Sequence, residues 1–376
     1  MKDLKTSMIS QIDKIGKHSS LSLQDIIGLV SFIVIFIVVI ISIIIYKLYN
    51  DKTIEDNVQN MTIVRNVLNT NNITSTNFKD YRLGDYFIMG SYNSCCGGDY
   101  ENDHVDTSTL ADIIGMGVRF LDFEIYSVDG KTVVSSSAND NIYKKGTYNE
   151  LALADVFDII QMTAFGHLTP NSNDPLFLHF RIKSSQKRVF DDLAKQIENK
   201  CKGKLLNTTF AYANRNKSIY NVPMKTFQSK IIICVESQES YFKQSSLYEY
   251  TNIHSGSSDC YLYRMQDIVN FINPEELTNR NRNHLSIVTP NFNNPDNFNS
   301  MIPIEYGCHI ICMKFQKLDT ELEFYVKQFN DVNSAFLLRP KELRENTLEV
   351  ELEEHTGEKG TLDTKIQPSL LGNLHI

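Results

Sequence analysis

Asp122 and Glu124 stand two apart in the run GVRFLDFEIYS, residues 117–127. Side chains alternate across a β-strand, so both carboxylates fall on one face, above Phe120. Oxygen donors of that kind can share the charge of a hard cation or accept the fork of an arginine. Histidine is a common acid–base group, but His179 sits mid-strand in LFLHFRI among Phe177 and Phe180, and that setting reads as a packed interior histidine. His104 lies instead in the polar loop GGDYENDHVD, from which a side chain can reach a site at a strand end. Cys95-Cys96-Gly97-Gly98 invites a reactive-thiol or phosphate-loop reading. No Gly-Lys-Ser or Gly-Lys-Thr follows, so the glycine pair reads as a turn. The chain has seven cysteines, with no CxxC pair and no histidine at zinc-finger spacing, so they give no metal framework. Cys234, Cys308 and Cys312 fall in apolar runs and read as small buried hydrophobes.

The elements that must position these residues alternate in kind. Strand-like runs rich in β-branched and aromatic residues (LGDYFIMGS, GVRFLDFEIYS, KTVVSSS, DPLFLHFRIK, SKIIICVES, CYLYRMQ, HLSIVTP, CHIICMKF, AFLLRP) are separated by helical patterns near 107–115, 149–164, 186–200 and 319–330. About eight strand–helix units point to an α/β fold of the distorted TIM-type (β/α)8 barrel class, with a doubly wound sheet as the alternative. Ahead of them, Ile26 to Tyr46 gives 21 positions without a charge, enough helix to span roughly 30 Å of hydrocarbon. The expected organisation is a short polar segment at 1–25, a transmembrane helix at 26–46 and a polar stalk at 47–79 with a short helix near Met61 to Leu68. A barrel follows at 80–344, then a charged mobile tail at 345–376.

Lys14 and Lys17 balance Lys47, Lys52 and Arg65, so charge leaves the orientation of a single-pass protein open. Sequons at Asn60, Asn72, Asn207 and Asn216 suit a lumenal domain, but an Asn-rich chain produces such triplets by chance. A net charge of −8 with no basic concentration argues against nucleic acid as a partner.

Two blocks of sequence resemble the phosphatidylinositol-specific phospholipases C. Residues 83–183 resemble the family's X half: GSYNSC against Ser-Ser-His-Asn-Thr-Tyr, GVRFLDFEIYSVDG against Gly-Cys-Arg-x-x-Glu-Leu-Asp-x-Trp-Asp-Gly, and PLFLHFRIKSS where the family has a strand ending in Leu-Glu-Asn. Residues 290–344 resemble the end of the Y half, in NFNNP, GCHIICMKFQKLD and FLLRPKELR. The resemblance covers about half of the chain and implies an X-like half at 80–200 and a Y-like half at 226–344. It also implies a distorted TIM-type barrel with its chemistry at the C-terminal ends of the strands.

The same resemblance shows where the family's machinery has been replaced. That reaction uses two imidazoles, one as base and one as acid. Their positions here hold Tyr92 and, in VVSSS, Ser136. Neither hydroxyl titrates near neutral pH, so neither replaces histidine well. His104 is the candidate for a relocated base. The family's calcium ion is held by an asparagine and three carboxylates. Asn93 is retained, Asp122 and Glu124 keep two carboxylates in exchanged order, and Arg181 stands at the third.

A guanidinium there removes a ligand and adds positive charge, so no metal is expected. Its fork could instead pair with Asp122 or Glu124; ordinary interior ion pairs without a ligand are the competing reading. In the Y half, Ser286 falls at the position of an inositol-packing arginine and Thr289 at that of a serine. The implied function is a membrane-anchored phosphoric diester hydrolase-like protein with impaired catalysis. Its expected partners are a membrane and a phosphoinositide headgroup or other anionic phosphodiester. An active phosphodiesterase with a relocated base, a non-catalytic lipid- or protein-binding barrel, and a structural membrane protein are the alternatives.

Overall fold

A computed structural model describes residues 23–139, 143–167, 169–206, 210 and 218–344. The expected polar segment before residue 23, the sequons at Asn207 and Asn216 and the charged tail lie outside the described residues.

Eight parallel strands curve into a nearly closed barrel with flanking helices, in the order β7-β6-β5-β2-β1-β10-β9-β8. The inner strands are β1 (Tyr86–Ser91), β2 (Phe120–Val128), β5 (Leu176–Ile182), β6 (Ile231–Glu236), β9 (Leu285–Thr289) and β10 (Ile310–Met313), with β7 (Ile253–His254) and β8 (Cys260–Arg264) at the two edges. Their aliphatic and aromatic content follows from burial on both faces of a parallel sheet. Every residue of β1, β5, β9 and β10 is buried. The ring stays open between β7 and β8 because only a tight turn joins them, with Gly256 at φ 78° and its N–H donating to the Cys260 carbonyl. Too short for a crossover helix, that turn leaves the two strands unpaired, which is the distortion of the barrel. Outside the ring, β3 (Lys131–Ser135) folds back antiparallel on β2 and carries β4 (Leu151–Ala152), while β11 (Phe336–Leu338) pairs antiparallel with the start of β1.

Helix α1 runs without interruption from Leu23 to Leu68. Its apolar part, long and apolar enough to cross a membrane, has a mean hydropathy of 3.3 and none of its side chains is buried by the rest of the chain. The expected polar stalk is corrected here: residues 47–68 continue the same helix, and Met61, Val64 and Leu68 are buried against the barrel. The spacing of those three gives one apolar stripe, which supplies the packing a mostly polar helix needs in water. Flanking helices α2 (Thr107–Gly115), α3 (Leu153–Ala164), α4 (Lys187–Cys201), α5 (Ser246–Tyr250), α6 (Met265–Val269), α7 (Pro274–Asn281), α8 (Met301–Glu305) and α9 (Thr320–Asp331) follow in chain order.

The closed end of the barrel is held by Arg339. Its Nη1 donates to Nε2 of His309 at 2.6 Å, and its Nη2 donates to the carbonyls of Asn281 and Leu343. An arginine only donates, so His309 Nε2 must accept, which leaves its proton on Nδ1 facing Ser286 Oγ at 3.1 Å. Ser286 therefore lies at the N-terminal end of the strands, away from the mouth where the resemblance would have put it. Burial, and then the Arg339 charge, lower the His309 pKa well below its ordinary 6.5.

Below pH 6.5 the unfolded chain takes up a proton at this imidazole that the folded chain refuses, so acid destabilises the fold through His309. Asp174, which burial raises to about 6, acts in the opposite direction between about pH 4 and 6, so the two must be separated. In urea titrations between pH 7 and pH 5, the native chain is expected to lose up to about 1.4 kcal/mol per pH unit more than His309→Gln. Parallel lines for the two proteins would contradict the assignment.

Candidate functional site

The C-terminal ends of β1, β2 and β5 bring Asn93, Asp122, Glu124, His179 and Arg181 together. Strand pairing sets the register: Asp122 lies beside His179 and Glu124 beside Arg181 on the neighbouring strand. With period-two alternation all four project from one face. Arg181 is the hub. Its Nε donates to Asp122 Oδ1 at 2.9 Å and its Nη2 to Asp122 Oδ2 at 2.7 Å, a bidentate pair. The same Nη2 donates to Asn93 Oδ1 at 2.7 Å and Nη1 to Glu124 Oε1 at 2.7 Å. These side chains are at most 3% exposed, so charge-assisted bonds replace water throughout.

The remaining lone pairs are also used. His179 Nδ1 lies 2.8 Å from Asp122 Oδ1, and its Nε2 lies 2.8 Å from Ser255 Oγ. The Asn93 backbone N–H donates to Asp122 Oδ2 at 3.0 Å, which its left-handed φ of 45° permits and asparagine tolerates. Tyr126 donates its hydroxyl to Glu124 Oε2 at 2.8 Å. Beneath them Ser94 Oγ accepts the Asp122 N–H and bonds Ser91 Oγ.

Burial alone would raise the Asp122 pKa, but the Arg181 charge and the His179 hydrogen bond hold it well below the usual carboxylate range. Burial likewise opposes the Arg181 charge, and Asp122 more than offsets it. Tyr126 is pushed upward by burial and by Glu124, so it stays a proton donor in its bond to the carboxylate. Fixed charges matched in this way make a network in which each carboxylate is paired with the one guanidinium and water is excluded.

Tyr92 covers the cluster. Its ring lies 4.5 Å from the Arg181 guanidinium carbon, in cation–π geometry, and it is 3% exposed. Its hydroxyl accepts from Nη1 of Arg264, the last residue of β8, at 3.0 Å. That same Nη1 donates to the Pro290 carbonyl, and the guanidinium stacks 3.6 Å over the Phe292 ring. Arg264 is only partly buried, so one side of its guanidinium reaches solvent. The alternation of CYLYR carried the signal for it, since Leu262 and Arg264 share a face, while Ser255 left none.

Other sequence candidates are placed elsewhere. Ser136 is buried at the end of β3, with its carbonyl accepting from Gly146, one residue beyond the Glu124–Ser135 pairing. Thr289 ends β9 and gives its hydroxyl to the Tyr263 carbonyl at 3.1 Å. His104 is buried beside Tyr148, its Nδ1 3.7 Å from Asp103 Oδ1; none of its contacts among the described residues reaches the Arg181 cluster. The thiol reading of Cys95 and Cys96 fails: burial pushes Cys96 up to about 12 and Cys95 well above its ordinary value, so neither is a thiolate at neutral pH. All seven cysteines are buried and free. The glycine pair has a packing reason instead, because a Cβ on Gly98 would stand 2.7 Å from Asn57 Oδ1 of α1 and 2.1 Å from Asp103 Oδ2.

No family model and no curated protein matches the chain. Solved structures do. The PLC21 structure of S. officinalis aligns with a TM-score of 0.56 at 16% identity over 72% of this chain and 38% of that one. PLC21 of L. pealei gives the same values. Phosphatidylinositol-specific phospholipase C from Listeria monocytogenes aligns with a TM-score of 0.43 at 12% identity, over 70% of this chain and 98% of that one. This chain thus shares the barrel fold of the PLC21 structures and spans well under half of their length.

Proposed function

We propose that this chain is a single-pass membrane protein with a phospholipase C-like barrel that no longer hydrolyses phosphodiesters and retains its mouth for an anionic lipid headgroup. One observation carries this reading: the Arg181 guanidinium occupies the space among Asn93, Asp122 and Glu124, the oxygen set that the sequence resemblance assigns to a calcium ion. Each of those residues already accepts a hydrogen bond from it at 2.9 Å or less. The donor set does not fit a divalent cation while that side chain is present, since a second positive charge would sit a few ångströms from the first.

Loss of the two histidines points the same way. Removing a general acid–base group costs about 10²–10⁴ in rate, and Tyr92 and Ser136 supply none near neutral pH. Tyr92, its ring on Arg181 and its hydroxyl on Arg264, takes the room at the cluster that a reacting hydroxyl would need. Arg264 supports the binding half of the proposal. It is held in a fixed direction by Tyr92, Pro290 and Phe292, and a planar guanidinium suits a phosphate group.

Turnover of phosphatidylinositol in mixed vesicles by the full chain, with calcium and with chelator, tests the catalytic half. Product formation at the level of protein-free vesicles in both conditions is expected. Calcium-dependent release of inositol phosphate by the folded protein would overturn it.

A further inference from the structure

Helix α1 enters the flank of the barrel from one definite end. Asn57 Nδ2 donates to Asp103 Oδ1 at 2.8 Å and Asn60 Nδ2 to the Gln316 carbonyl at 2.7 Å. Asp103 belongs to the loop that leaves the C-terminal end of β1, and Gln316 follows the C-terminal end of β10 by three residues. Both are mouth loops. One to three turns further on, Arg65 pairs with Asp112 on α2, and the Leu68 carbonyl accepts from Asn330 at the far end of α9. Ile73, just beyond the helix, packs against Gly117, which precedes β2. From residue 57 to residue 73 the chain therefore travels from the mouth of the barrel to its closed end. Its earlier part must project outward past the mouth.

Asn57 lies eleven helical steps beyond Tyr46, the end of the apolar run, in the same unbroken helix. At 1.5 Å per residue that is about 16 Å. The headgroup layer beyond the hydrocarbon takes up roughly 5–7 Å of it. A continuous helix anchored by buried Met61, Val64 and Leu68 transmits direction, which a flexible polar linker of the same length would not.

Resting on the membrane-anchored reading above, we propose that α1 is a strut that turns the mouth of the barrel, with Arg264 and Tyr92 at its opening, toward the bilayer that the same helix crosses. The ligand of that mouth is then an anionic headgroup of the protein's own membrane, on the barrel's side, and the closed end around Arg339 faces away. The close seat of Asn57 on Gly97 and Gly98 explains the glycine pair in the same terms, because side chains there would lift the helix from the mouth loops.

Exposed cysteines added at the two ends of β9, the seven native thiols being buried, test the orientation. Pro295 is exposed in the loop after the strand and Asn283 is exposed just before it. The full chain carrying Pro295→Cys or Asn283→Cys, each labelled with a donor dye, is reconstituted into phosphatidylcholine vesicles containing phosphatidylinositol and an acceptor-labelled lipid. Energy transfer is expected to be several-fold greater from position 295 than from 283. A flexible Gly-Ser insertion after Asn50 should abolish that difference. Equal or reversed transfer in an uninterrupted chain that resists alkaline carbonate extraction would overturn the orientation alone. A chain stripped from the vesicles by carbonate would overturn the anchoring itself, and the orientation with it.

Discussion

Arg181→Ala is expected to destabilise the barrel by about 3–5 kcal/mol, the range for breaking a buried ion pair by deleting one partner. The size follows from what would be left behind. Asp122 and Glu124 are fully buried, and each would lose its guanidinium donor with no water there to replace it. Arg181→Lys should recover little of the loss, because one ammonium cannot reproduce the bidentate contact to Asp122 while also reaching Glu124 and Asn93. Calcium supplies a control that a merely structural role would not predict. With the guanidinium gone, Asn93, Asp122 and Glu124 form an open set of hard oxygen donors. Millimolar calcium should therefore raise the denaturation midpoint of Arg181→Ala and leave that of the native chain unchanged. Equal responses of the two proteins would show that the side chain does not take a cation's place.

The second large effect concerns the mouth. Arg264→Ala should weaken the binding of the barrel to phosphatidylinositol-containing vesicles by roughly 10- to 100-fold, the equivalent of a charge-assisted hydrogen bond worth about 1.5–3 kcal/mol. Fold stability should change far less than for Arg181→Ala, because Arg264 is partly exposed and its partners are a tyrosine hydroxyl and a backbone carbonyl. Co-sedimentation at two salt concentrations separates the headgroup contact from diffuse attraction, which screening weakens. Unchanged sedimentation of Arg264→Ala would leave the mouth without a lipid-binding role.

Much of the barrel was legible before any coordinates, and for a physical reason. Buried parallel strands need continuous apolar runs, so LFLHFRI and SKIIICVES announce themselves. Asp122 and Glu124 could be placed on one face from alternation alone. Other features could not be read. The opening between β7 and β8 depends on a five-residue turn that looks like any other polar loop. Ser255 reaches His179 only through that turn. Ser286 reads as a mouth residue because its surroundings in sequence resemble a mouth segment, whereas the strand register puts it beside His309 at the opposite end. The packed helix at 47–68 reads as a stalk because a polar helix that packs through three apolar positions, Met61, Val64 and Leu68, has a weak periodic signal.

On the proposed function, Arg181 is a covalently attached substitute for a metal ion. A calorimetric titration of calcium into the purified native chain tests this most directly. No saturable heat, with full response in Arg181→Ala, is the predicted result. Tight binding to the native protein that Asp122→Asn abolishes would contradict it, since the cation would then have displaced the very side chain that is held to exclude it.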